Sequence, residues 1–476
     1  MARHVVVIGG GISGLAAAER LVALAPDVRV TLLEARERLG GVIQTERRDG
    51  RIMERGPDVF LASKPATLEL CRRLGIADRL QGTNPAVRGA YVVRRGRLQR
   101  VPEGLAGLVP TRLGPFAATR LLSPLGKLRA GLELFLPPRR DDGDESVGAF
   151  VRRRLGREMY ERLVEPLVSG IYAGDGDKLS ILATFPQLRE RERAHGGLLR
   201  AMLHDRRRSG GAATGSATGA APAGFLAPRG GMAELIEALE ARLEPRIEIR
   251  RNLPAVSVNP ANGAVHVRYA DGDGDEYDAA ILAVPAHAAA ELLAPASPEL
   301  ADRLAGMEHV SPATVSLAFP AAAVARPLDG TGYVVPRAER RAALACTWSS
   351  AKFVGRAPAG EALFRVFFGG AGRADVVGLG DAALVAMARH ELAEIVGVRG
   401  EPVDVCVTRW ERALPQYGLG HLERLAAIER LAGALPGIAL AGNAYGGVGV
   451  PDCVRTAERA ARAVSDYLSS VHGAAR

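Results

Sequence analysis

The chain has little of what builds a disulfide framework, a zinc site or a membrane span. Its four cysteines, Cys71, Cys346, Cys406 and Cys453, lie far apart with no CxxC pair, so a reducing compartment is the simpler reading. No uninterrupted apolar run reaches bilayer length, and the start lacks a charged segment followed by a short apolar core and a cleavage site. The expectation is a cytoplasmic protein, at most peripheral on the inner face of a membrane. Aromatic residues make up only 5% of the chain, with no obvious paired tyrosines, which argues against an aromatic cage for a cationic amine. Nine histidines offer no clear general base, and no Ser-His-Asp, Cys-His or metal-ligand constellation stands out. The surplus of 62 basic over 53 acidic residues suits an anionic substrate or an acidic surface. Runs such as Arg152-Arg153-Arg154 and Arg206-Arg207-Arg208 lack interleaved aromatics, however, and read as solvated helix faces, so nucleic acid is not an expected partner.

What the chain does have is glycine in strategic places. The run Val5-Val6-Val7-Ile8-Gly9-Gly10-Gly11-Ile12-Ser13-Gly14 reads as a buried strand, a tight turn and a helix start. Gly9 permits the turn, Gly11 lets backbone approach a pyrophosphate and Gly14 lets helix and strand pack closely. A second strand over 28–33 ends at Glu34, twenty residues after Gly14, where a carboxylate can accept ribose hydroxyls. Next come Arg38 and the pair Gly40-Gly41, again suited to phosphate by charge and by close backbone approach, and then the turn Gly56-Pro57-Asp58.

At 476 residues the chain is too long for a single core and should divide into two or three domains. A helix pattern follows Thr67 and stops near Gly75, and a hairpin is expected over 90–101 with a basic tip at 94–97. Residues 102–138 mix Pro, Gly and Leu-rich pieces with Arg112, Arg120, Lys127 and Arg129, predicting short basic amphipathic helices within a helical subdomain that can touch lipid. Ser146 caps a helix, and residues 209–224 are low-complexity and predict a flexible surface loop. Short strands near 247–250, 256–258, 265–269 and 281–284 follow a helix over 233–243. The aspartates of 271–275 fit a hairpin turn better than a calcium loop. Strands over 313–319 and 362–368 and a helix over 381–396 suggest a substrate-facing sheet. The strand 438–441, the glycine-rich stretch 442–449 and a last helix over 454–468 form a second strand-turn-helix unit.

Nucleotide-type units at both ends resemble the amine oxidase and phytoene desaturase flavoprotein superfamily. Within it, the stretches 9–14, 54–58, 170–175, 414–421 and 442–453 resemble the oxygen-dependent porphyrinogen oxidases of haem synthesis, nearly end to end. Ala345-Cys346-Thr347-Trp348 and 364–372 are most similar to the Gram-positive coproporphyrinogen III oxidases. In the protoporphyrinogen branch an arginine commonly precedes the aromatic of the Ala90-Tyr91 strand, and here that position is Ala90.

The fold this implies is α/β: a Rossmann-like FAD-binding domain (1–85, 226–285, 405–476), a mixed-sheet substrate domain (86–101, 286–404), an inserted helical subdomain (102–205) and a linker loop (206–225). The resemblance implies FAD held by Gly9, Gly10, Gly11, Ile12, Ser13, Gly14, Glu34, Ala35, Arg38, Gly40, Gly41, Val42, Gly56, Pro57, Asp58, Val256, Trp410, Gly442, Asn443, Val448, Gly449 and Val450. It implies a porphyrinogen walled by Gly170, Ile171, Tyr172, Thr331, Gly332, Tyr333, Val334 and Phe367, with Lys64 as a propionate partner. The implied reaction removes six electrons and six protons in three flavin cycles, each with hydride transfer to flavin N5 and reoxidation by molecular oxygen to hydrogen peroxide. No side chain is assigned as catalytic. The same resemblance suggests contact with other enzymes of haem synthesis. Protoporphyrinogen IX is the alternative substrate; amine oxidation, carotenoid desaturation or a flavin-free escort role are more distant alternatives.

Overall fold

The computed structural model describes residues 3–106, 109–110, 113–208 and 224–474. Its first sheet is five-stranded and parallel, ordered Glu248–Arg250, Arg29–Leu33, His4–Ile8, Ala279–Leu282, Ile438–Leu440. The apolar run at the start of the chain is central because both its faces are covered. Val5 and Val7 enter a core with the helices Ile12–Leu24, Ala233–Leu243 and Val450–Ala474, while Val6 and Ile8 enter a second core on the opposite face. That second core includes the antiparallel strands Ala255–Ala261, Ala264–Tyr269 and Gly274–Tyr277, so Asp271 and Asp273 sit at a hairpin turn and Asp275 follows in its second strand.

The second sheet has seven strands, ordered Asp404–Arg409, Pro312–Pro320, Glu361–Gly369, Ala345–Trp348, Gly332–Val334, Tyr91–Arg94, Arg97–Arg100. One face packs on the helix Asp381–Val396 through Phe364, Val366, Phe368 and Leu384. The other carries the alternate residues, among them Thr314, Ser316, Arg365 and Phe367. Two expected boundaries are crossed by this architecture. The strand Asp404–Arg409 pairs along Pro312–Pro320, although a division at 404/405 would split it off. The helices Ala286–Leu293 and Pro298–Ala305 bury Leu292, Leu293, Leu300 and Leu304 on the parallel-sheet core, although 286 was expected to begin the substrate domain.

The intervening segment is largely helical. Ser146 caps Val147–Leu155 by accepting a hydrogen bond from the Ala149 amide (3.0 Å). Its core of Phe150, Val151, Tyr160, Leu163 and Val168 packs against Val92 and Tyr417. The segment 102–138 is more broken than expected: a two-stranded pair at Leu105–Ala106 and Val109–Pro110 precedes the short helices Leu113–Ala118 and Pro124–Gly131. The low-complexity expectation for 209–224 falls almost wholly on residues outside those described. The flanks of the expected 206–225 linker are regular, with a helix running to Arg208 and a strand from Phe225.

Candidate cofactor and substrate site

The C-terminal ends of the parallel strands open into a cleft of about 740 Å³. Its lining includes the residue that follows each of three strands, Gly9, Glu34 and Ala283, and Gly442 just beyond the fourth. Ligands in open α/β sheets bind at this edge. The glycine requirements are steric. Gly9 has φ +106°, and a Cβ on Gly14 would lie 1.8 Å from the Gly9 carbonyl oxygen. A Cβ on Gly11 would meet only Gly41 Cα, at 4.0 Å, so the turn presents bare backbone to the cleft. Gly11 also starts the helix Ile12–Leu24 with no side-chain cap, which leaves first-turn amides facing the cleft for an anion. Glu34 accepts hydrogen bonds from Gly10 N (2.8 Å) and Arg36 N (3.0 Å), so its carboxylate is held beside the glycine turn at the cleft. The residues present therefore fit a dinucleotide.

Of the expected cofactor residues, Gly9, Gly11, Ile12, Ser13, Glu34, Ala35, Gly40, Gly41, Val42, Val256, Trp410, Gly442 and Asn443 line the cleft. Gly10 and Gly14 shape the turn from behind. Gly56 has a related packing role, since its Cβ would lie 1.8 Å from the Val42 carbonyl oxygen. Arg38 differs from the expectation of a free phosphate partner: its guanidinium donates to the carbonyls of Leu39, Gly41 and Ile43, tying down the Gly40-Gly41 turn. Trp410 joins the two halves of the site. Its indole donates to the Arg55 carbonyl (2.6 Å), while the Arg55 side chain donates to Thr408 (3.0 Å) on the seven-stranded sheet. Sequence reading missed Arg36, His287, Glu291, Arg409 and Cys453, which also line the cleft. Arg36 stands two residues after Glu34 and could have been found there; His287 and Glu291 arrive only through tertiary packing.

The far edge of the cleft is braced by the 414–421 stretch. Gln416 donates to the Tyr172 carbonyl (3.0 Å), and the Tyr417 hydroxyl bridges the Asn443 carbonyl and the Gly447 amide. His421 stacks on the Tyr417 ring (4.2 Å), and burial, reinforced by Arg424, lowers its pKa to about 4, so it is a neutral structural group at pH 7. Val448 and Gly449 lead directly into the last helix, Val450–Ala474, whose Asp452 carboxylate packs on Gly447 and Gly449. Lys64 lies here rather than free for a substrate: its Nζ pairs with Asp452 (2.6 Å), and its side chain remains 48% exposed.

Chain topology also brings the expected substrate walls together. A Cβ on Gly170 would touch Val334 at 3.4 Å, and Phe367 packs beside Ala173, the residue after Tyr172. Tyr172 is buried between Phe185 and Tyr417, whereas Ile171 is exposed. Gly332, at φ +139°, passes so close to Cys346 that no side chain fits, while Thr331 is fixed through Gly89. Tyr333 points away into the core behind the sheet. Pro57 and Asp58 stand below this wall, where Asp58 pairs with Lys352 (2.7 Å). Burial opposes ionisation of Asp58, but Lys352 and Arg365 outweigh it and hold the carboxyl below its ordinary pKa.

The sequence pattern of flavin containing amine oxidoreductases matches residues 12–465. The chain belongs to that family. A coproporphyrinogen III oxidase from Bacillus subtilis (strain 168) is 37% identical over 472 residues, covering 98% of each chain. A chloroplastic protoporphyrinogen oxidase from Nicotiana tabacum is 32% identical, covering 98% of this chain and 86% of that protein. The crystal structure of a candidate protoporphyrinogen oxidase from Exiguobacterium sp. 255-15 superposes with a TM-score of 0.85 at 34% identity, covering 98% and 99% of the two chains. For a flavin oxidoreductase the geometry has a direct reading. The bound flavin would supply the hydride and electron acceptor. The cleft-facing amides and Glu34 would hold its nucleotide end, and the Trp410 to Arg55 hydrogen bond ties the cleft to the second sheet.

Proposed function

We propose that the protein is an FAD-dependent oxidase that converts coproporphyrinogen III to coproporphyrin III, with molecular oxygen as the final acceptor and hydrogen peroxide as by-product. The observation that carries this reading is the 37% identity to the Bacillus subtilis coproporphyrinogen III oxidase across 98% of both chains. Ala90, where a protoporphyrinogen-type arginine would be expected, supports the same branch. The Nicotiana tabacum relative keeps protoporphyrinogen IX as a second reading.

In this reading the protein's work is mainly positioning. Gly170, Tyr172, Val334 and Phe367 offer an apolar wall to the macrocycle faces and exclude water from the reacting carbon. Tyr417 and Gln416 hold Tyr172 and the 442–449 turn at a fixed separation. Lys64 meets a propionate only by exchanging its Asp452 partner for the substrate, which makes it a rim residue. The test is aerobic incubation of purified yellow protein with coproporphyrinogen III. Fluorescent porphyrin with matching oxygen loss and peroxide supports the reading; no product from flavin-loaded protein refutes it.

Among the described residues no helix is long and apolar enough to cross a membrane. Leu125, Leu128, Leu132 and Phe135 nevertheless stand 77%, 62%, 45% and 74% exposed along one side of consecutive helical turns, beside Lys127. This supports peripheral contact with an anionic lipid surface. Liposome flotation tests it, with loss of binding expected for Leu125→Ser/Phe135→Ser. Contact with another haem-synthesis enzyme is proposed on the ground that the product is handed on.

A further inference from the structure

Beside the expected wall lies a buried cation that the site has not yet used. On the seven-stranded sheet, register places Arg365 opposite Ser316 and Thr347, with Gly332 next in the same row. Two residues along, the adjacent row runs Thr408, Thr314, Phe367, Ala345, Val334. Side chains alternate along a strand, so Arg365 shares a face with Phe367 and Val334 and opposes the core-facing Phe364, Val366 and Phe368. Its guanidinium lies over the Phe367 ring at 4.8 Å.

Arg365 is only 4% exposed, and its Nε and Nη1 are buried with no hydrogen-bond partner among the described residues. The carboxylates that act on it, Asp58 and Glu54, already have partners of their own. Asp58 takes Lys352 at 2.7 Å. Glu54 faces Arg356 at 3.3 Å and accepts from Thr45 Oγ1 (2.7 Å) and Met232 N (2.9 Å). Of the three cations packed here, Lys352 pairs with Asp58, and Arg356 pairs with Glu54 and donates to the Pro228 carbonyl (3.1 Å), whereas the Arg365 side chain makes no ion pair or hydrogen bond of its own among the described residues. An arginine stays charged in a protein, and a buried charge without a partner is strongly unfavourable. A planar fork of free donors on the face that carries Phe367 and Val334 matches a carboxylate.

We propose that Arg365 receives an inward-directed carboxylate of the tetrapyrrole and is a specificity-determining residue for a substrate with several carboxylates. This rests on the porphyrinogen reading above. It also predicts an unusual combination, because a residue kept for ligand binding at a cost to the fold should be replaceable with a gain in stability.

The test compares wild type with Arg365→Met, which keeps length and removes charge, and with Arg365→Gln, which keeps hydrogen-bonding capacity without charge. Binding of coproporphyrin III and of its tetramethyl ester is titrated by flavin absorbance, alongside flavin content and thermal midpoint. Both variants should bind the tetra-acid about 10- to 100-fold more weakly than wild type, as for loss of a charge-assisted hydrogen bond. They should bind the ester as wild type does, retain full flavin and show an undiminished midpoint for Arg365→Met. Unchanged affinity for the tetra-acid in either folded variant overturns the assignment, as does a fall in midpoint with loss of flavin. Wild type that binds neither porphyrin overturns the porphyrinogen reading itself, which separates the two failures.

Discussion

Gly14→Ala probes the cofactor cleft with a single methyl group. The added Cβ would sit 1.8 Å from the Gly9 carbonyl oxygen and 3.3 Å from Ala283 Cβ, where contacts below 3.0 Å do not occur. The obstructing oxygen belongs to the turn itself, so no flexible side chain can move aside. The helix Ile12–Leu24 must retreat by about 1.2 Å, taking the first-turn backbone away from the cleft. With the helix held in its original place, overpacking of this kind costs about 1–3 kcal/mol; the retreat relieves it in the free protein, where the better helix propensity of alanine contributes roughly 1 kcal/mol. The unliganded protein should therefore lose little stability. Flavin binding must draw the helix back, so the same 1–3 kcal/mol appears as about 5- to 150-fold weaker FAD affinity. Flavin-to-protein ratio after dialysis, with thermal midpoints measured with and without added FAD, reads both effects. A variant with wild-type flavin content and the wild-type FAD-induced rise in midpoint would refute this view of the turn.

The remaining expectations concern stability. Arg154 and Glu133 form a fully buried pair in the helical segment, where Glu133 also accepts from Leu198 N (2.8 Å) and Leu199 N (3.0 Å). Glu133→Ala leaves the arginine only the longer contact to Glu192 (3.6 Å) and should cost about 3 kcal/mol in denaturant unfolding, while a paired Glu133→Leu/Arg154→Met change should cost far less. His421 is held neutral by burial with a pKa of about 4 against 6.5 when unfolded. A depressed pKa contributes stability that is present above pH 6.5 and lost as pH falls toward 4, amounting to roughly 3 kcal/mol. His421→Gln should flatten that part of the stability profile; an unchanged slope between pH 7 and 4 would show that other groups set it.

Much of the cofactor site was readable because its demands are local. Gly14 answers to the Gly9 carbonyl within one turn, Gly9 to its own φ of +106°, and Glu34 follows its strand at a fixed distance. The closing unit at 438–450 was readable for the same reason. What escaped depends on contacts remote in sequence. Lys64 and Asp452 are 388 positions apart, so the ion pair that occupies the lysine has no local signal. Asp404–Arg409 joins the second sheet through Pro312–Pro320, and the helices after 285 cover the first sheet because Leu292, Leu293, Leu300 and Leu304 find their apolar neighbours there. Arg365 looked like one arginine in a strand; register and burial distinguish it from the solvated arginines.

The central claim is tested most directly by side-by-side steady-state kinetics of the flavin-loaded protein on coproporphyrinogen III and protoporphyrinogen IX under air. A higher kcat/KM for coproporphyrinogen III is predicted. A higher value for protoporphyrinogen IX, or oxidation of neither, would contradict the account.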